Sequence, residues 1–260
     1  MRVRQRIAAL QSCLRELETA IITAYFTGSG RNPETDRAWL AKQCHKEYWG
    51  GYRAARDAVE TALARGAPDE RVVALMRYSA EEFGHYQAFA QAYAGIGDGS
   101  FPSLGGTAEE LDWAENRALN RLRARQQNVF GQAGHRAYAL TEGGAGALYE
   151  VGASLPTAKS PSNAMIAAAC LRVMREEESH REQGLRDLHD DPANERLIPL
   201  LAAQIEPRLQ MRNAQFGKPW LDEQVHAQLR LRLSDAGFDV REFHQTPENT
   251  DAVVSNPLPL

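Results

Sequence analysis

Glu47 lies 35 residues before Glu82, and Glu142 lies 35 residues before Glu177. In each case the second glutamate opens a Glu-x-x-His motif, Glu82-Phe83-Gly84-His85 and Glu177-Glu178-Ser179-His180. Side chains at i and i+3 share one face of a helix, so each motif can aim a carboxylate and an imidazole at one point. At ~1.5 Å per residue, an interval of this length runs down half a long helix, round a turn, and back to the same level on an antiparallel neighbour. Turn signals fall inside both intervals, at Gly66-Ala67-Pro68 and between Pro156 and Pro161. The repeat therefore constrains the chain to two helical hairpins, each offering two carboxylates and one imidazole. One Glu-x-x-His arises easily by chance; the weight lies in the repeated interval.

The rest of the chain reads as helix, and strand-like alternation is nearly absent. Ile7, Leu10, Leu14, Leu17, Ile21 and Ile22 keep helical spacing in a first segment over residues 3–27. Further segments are expected at residues 33–65, opened by Pro33, and at 69–94, with Asp69 as N-cap. Thr107 and Glu110 form a capping-box pattern for a helix through Phe130. Helices follow at 135–154 and, with Ser162 as N-cap, at 162–190. Two more are expected near 194–216 and 220–236, the first broken at Pro199 and Pro207. The tail, residues 244–260, carries Pro247, Pro257 and Pro259 and no helical pattern, which leaves residues 1–243 as one helical domain.

Composition excludes several functions. A formal net charge of -4 gives no basic field to draw nucleic acid or anionic lipid. Cys13, Cys44 and Cys170 include no CxxC pair, so neither a disulfide framework nor a thiolate metal site is expected, and a reducing cytoplasm fits. No apolar stretch approaches the ~20 residues needed to span a bilayer. Neither a P-loop, a GxGxxG fingerprint nor a Ser-His-Asp pattern is present.

The set Glu47, Glu82, His85, Glu142, Glu177 and His180 resembles that of the ferritin-like superfamily, in which four glutamates and two histidines bind two metals inside a four-helix bundle. The resemblance covers residues 36–190. It implies core helices at 36–65, 71–94, 135–154 and 162–190, a long crossover at 95–134, and extra N- and C-terminal helices. It further implies a pair of iron ions, or manganese, or a mixed pair, and oxygen-dependent oxidation of a small organic substrate. Hydroxylation, desaturation, N-oxygenation and oxidative carbon-carbon cleavage all belong to that chemistry. Dioxygen, the substrate and an electron donor are the expected partners, with homodimerisation open; manganese catalase and a ferritin- or rubrerythrin-like ferroxidase or peroxidase are the alternatives. Glu81 and Glu176, each preceding a ligand glutamate, correspond by resemblance to acids that hydrogen-bond the non-ligating nitrogen of the opposite histidine.

Glycines cluster beside the single glutamates: Gly50 and Gly51 after Glu47, and Gly143, Gly144 and Gly146 after Glu142. Each costs roughly 1 kcal/mol relative to Ala within a helix, so a reason is needed. A pocket for dioxygen and substrate is one reason and close helix packing is another. Glu150, on the face of Glu142, reads as a core-edge acid. His45, His135 and His189 fall outside the interval, and Arg117, Arg121, Arg123 and Arg125 read as a solvated helix face.

Overall fold

The computed structural model describes residues 2–97, 112–142, 146–186, 188, 191–218 and 221–235, with the backbone alone at Glu142, residues 178–186, Pro192 and Asp235. The fold is all-α, with no strand among the described residues. In chain order the elements are α1 (Val3–Thr27), α2 (Pro33–His45), a π-helical segment (Lys46–Tyr52), α3 (Arg53–Ala64), α4 (Asp69–Ile96), α5 (Ala114–Phe130), α6 (Gln132–Glu142), α7 (Gly146–Ala153), α8 (Pro161–Arg186), α9 (Leu197–Gln215) and α10 (Glu223–Asp235). No helix among the described residues is long and apolar enough to cross a membrane. The proposed capping box at Thr107 and the tail 244–260 lie outside the described residues.

Local chemistry explains the helix ends. Asn32 caps α2 by accepting from the backbone of Glu34 and Thr35, and Pro33 follows at the first helical position, where its missing N–H costs nothing. Gly66, at φ 66°, supplies the left-handed residue that ends α3, and the N–H of Ala67 closes back onto the Ala62 carbonyl. Helix α8 starts one residue before the expected position: Ser160, not Ser162, caps it through a 3.1 Å bond from the Asn163 N–H.

The expected break at Pro199 and Pro207 is absent; α9 is continuous through both. Pro199 is the third residue of the helix, within the first turn, where no backbone donor is required. Pro207 deprives the Ala203 carbonyl of its partner, but Ala203 and Pro207 share a partly exposed face where water can take that place.

The chain packs as two compact units. One comprises Met1–Gly28, Ala114–Val151 and Glu177–Val253. Its centre is α9, flanked by α1, α5 and α6. Fourteen of the 19 residues of α9 are buried, so this helix presents core on nearly every side. The burial includes charge. Arg208 and Arg212 both donate through Nε to Oε1 of Glu18 on α1, at 3.0 and 3.1 Å, and all three side chains are buried. Nearby Arg123, expected on a solvated face, is buried instead. It donates to Gln204 and Thr141 and lies over the Tyr138 ring, because the helix turns that side of α5 onto α9. Glu150 accepts a 2.6 Å pair of bonds from Arg15 at the half-exposed edge of this unit.

The other unit comprises Ser29–Trp113, Gly152–Glu176 and Val254–Leu260. Here α2, the π segment and α3 form one rod packed along α4. Trp39, Leu40, Ala55, Ala58 and Ala62 on the rod meet a core that contains Ala88, Phe89 and Ala92 of α4, with Trp39 edge-on to Phe89. The start of α8 adds Ile166, Cys170 and Val173 to this core.

Removing Glu18 strands two buried guanidinium groups. Glu18→Ala should lower the unfolding free energy by about 3–5 kcal/mol, whereas Arg15→Ala, at an exposed pair, should cost less than about 1 kcal/mol. Chemical denaturation of the two variants checks the contrast. A pH effect is also expected. Burial pushes the Cys13 thiol up to about 11. An unfolded thiol, with its pKa near 8.5, releases its proton first as pH rises, so this group's contribution is full below about pH 8.5 and fades towards pH 11. The stability difference between wild type and Cys13→Ala should therefore shift against the wild type between pH 8 and pH 10.5.

Candidate metal centre

Glu47 sits at the second residue of the π segment, and Glu82 and His85 sit one turn apart on α4. Packing of the rod along α4 brings the three together: one ligand atom from each lies within 4.8 Å of the others. All are removed from water, with exposures of 4% for Glu47, 5% for Glu82 and 0% for His85. Metal–ligand bonds of about 2.0–2.2 Å span donor atoms up to about 4.4 Å apart, so a slight contraction would close the group around one ion. Glu47, Glu82 and His85 can thus hold a metal ion.

The electrostatics favour a cation. Two ionised carboxylates at 4.8 Å repel by roughly 3 kcal/mol at an effective dielectric constant near 20. Glu82 meets His85 Nδ1 at 3.6 Å and is reached by no arginine or lysine among the described residues. This contrasts with Glu18, which has two guanidinium partners. The donors are oxygen and nitrogen, the set that suits Fe(II) or Mn(II). Cys44, one turn before Glu47, is held well above its ordinary pKa by burial and then by the Glu47 charge, so it stays a thiol and adds no thiolate.

Groups around the three residues fix their orientation. Glu176, on α8, places Oε2 2.8 Å from His85 Nε2. A carboxylate at that distance takes the Nε2 proton, which leaves the Nδ1 lone pair of the neutral ring on the side of Glu82. Gln43, fully buried one turn before Glu47, donates through Nε2 to Glu47 Oε1 in a short contact. Nothing in the sequence pattern singled out Gln43; its i, i+4 relation to Glu47 was the available signal. An aromatic wall adjoins the same residues. Tyr48 packs against Trp49, Tyr52 and Tyr86 at ring separations of 5.3–5.5 Å, and Phe83 joins Tyr52 to Tyr86. Burial raises the Tyr86 pKa, with smaller contributions from Cys44 and Tyr48.

The other expected site residues fall as follows. Glu81 is exposed on α4. Glu177 is half-buried on α8, while the side chains of Glu142 and His180 lie outside the described residues, as do Gly143 and Gly144. Gly146 opens α7. Gly50 is exposed, and a β-carbon there would touch nothing within 4 Å. Gly51 is different: its missing side chain leaves room that the Glu82 carboxylate occupies. His45 is buried with Nε2 3.8 Å from Asp112, and burial lowers its pKa against the opposing pull of that acid. No protein family, curated protein or solved structure matches the chain.

Loss of either a carboxylate or the imidazole should remove the divalent-ion affinity of the group. Glu82→Gln and His85→Ala are expected to bind Mn(II) at least about 100-fold more weakly than wild type, beyond the 10–100-fold typical of disturbing an outer group. Titration followed by the electron paramagnetic resonance of free Mn(II) measures the loss.

Proposed function

We propose that this protein is a non-haem diiron oxygenase or oxidase built on a ferritin-like helical bundle, acting on a small organic substrate. The observation that carries the reading is the buried Glu47–Glu82–His85 group, assembled from two residues at a 35-residue interval that recurs at Glu142 and Glu177. From the sequence interval, Glu142, Glu177 and His180 are the ligands of the second ion.

A pair of ferrous ions bound by this set would supply the electrons for reducing dioxygen and oxidising the substrate. The chain's own residues do the rest. Glu47 and Glu82 provide the negative charge that retains divalent ions, and their burial keeps bulk water from the coordination positions. Glu176 holds the His85 proton on Nε2 and so keeps Nδ1 free to donate. The aromatic wall from Tyr48 to Tyr86 gives the group an apolar border suited to an organic molecule.

The same donor set suits manganese, so a dinuclear manganese catalase is the second reading; oxygen evolution from hydrogen peroxide by manganese-loaded protein would favour it. Anaerobic titration with Fe(II) separates the main alternatives. Two irons per chain, with dioxygen consumed in proportion to the Fe(II) added and no further uptake of iron, is the expected result. Accumulation of many irons per chain would instead indicate storage, and tight binding of a single zinc would remove the diiron reading. His180→Ala should reduce the iron content from two to one or none while far-ultraviolet circular dichroism stays unchanged.

A further inference from the structure

We propose that Gly51 sets the position of the Glu82 carboxylate, and through it the metal affinity of the Glu47–Glu82–His85 group; the inference rests on the metal-binding reading above. The π segment places Gly51 directly opposite Glu82 on α4. A β-carbon built on Gly51 would overlap Glu82 Oε2 and lie 3.1 Å from the carboxylate carbon and 3.6 Å from the Glu82 β-carbon. Every atom it would meet first belongs to that one side chain. The adjacent Gly50 meets nothing within 4 Å, so the two glycines of the segment differ in kind.

Glu82 has little freedom to retreat. Its side chain is 7% exposed, and its Oε2 faces His85 Nδ1 at 3.6 Å. Two residues further along α4, Gly84 is itself closed off by the Arg172 guanidinium, whose Nη2 would sit 2.8 Å from a β-carbon at that position. The segment therefore acts on both carboxylates. Before it, Gln43 donates to Glu47; near its end, Gly51 vacates the volume in which Glu82 turns towards the shared point. A methyl group at residue 51 forces Glu82 into another rotamer and moves its oxygens away from the other donors. In this arrangement Gly51 is a positioning residue, and the space beside it is a seat for a ligand side chain.

Glycine-to-alanine exchange at residues 50 and 51 provides an internal control, because both changes alter helix propensity and chain entropy alike. Affinity for Mn(II) and for anaerobic Fe(II) is measured by competition with a chromophoric chelator, alongside thermal unfolding of the metal-free proteins. G50A should bind as wild type does. G51A should bind about 10–100-fold more weakly, the loss expected when a group that orients a metal ligand is disturbed. Shortening the acid relieves the collision, so the losses in G51A and E82D should not add in the double variant. Equal affinity in G51A and wild type overturns the proposal. A wild type that binds neither ion removes the metal reading itself, a distinguishable failure. Should G51A not fold, G51A/E82A, which lacks the colliding carboxylate, should fold; an unfolded double variant overturns the proposal as well.

Discussion

Two carboxylates of like charge, Glu47 and Glu82, are withdrawn from water and set against each other on packed helices, and the unit around them is organised by that constraint. Neither the apolar core of Trp39, Leu40 and Phe89 nor helix propensity calls for acids at these positions. Their burial is tolerable because an imidazole sits between them, Gln43 and Glu176 fix the orientation of two of the three side chains, and a cation can take up the remaining charge.

The chain handles buried acid in two different ways. Glu18 is neutralised internally: two arginines from α9 converge on one of its oxygens and fasten that helix to α1. Such a cluster specifies how α1 and α9 meet, since sliding either helix by a turn would strand a charge in the core. At Glu47, Glu82 and His85, no arginine is supplied to Glu82 among the described residues. One arrangement is closed and structural. The other is left open to a ligand from solution, which is the physical distinction between a core ion pair and a binding site.

Much of this was legible in the sequence, and the rest was hidden for identifiable reasons. Helix α1 matches its apolar spacing from Val3 to Thr27, and the level meeting of Glu47 with Glu82 follows from counting residues along a hairpin. Periodicity reports which residues repeat, but not how tightly the backbone is wound between them. The segment Lys46–Tyr52 therefore read as ordinary α-helix, although its closing N–H, from Arg53, reaches the carbonyl of Tyr48 five residues back. The prolines of α9 misled for the converse reason, because the rule that proline breaks a helix ignores position in the first turn and access to water. Arg123 shows that a run of arginines does not reveal which of them faces inwards.

The π segment also governs what kind of change this region can absorb. It accommodates one residue more per hydrogen-bonded turn than the α-helix on either side of it. Deleting a single residue there would let the rod close into regular α-helix without breaking it, yet turn everything beyond by about 100°. The stripe of Ala55, Ala58, Val59 and Ala62 would then swing off α4 even though every one of those side chains was intact. Chain length between residues 46 and 52 is thus held more strictly than the identity of most side chains in it, so an indel here would be a lesion of register, felt along the whole of α3.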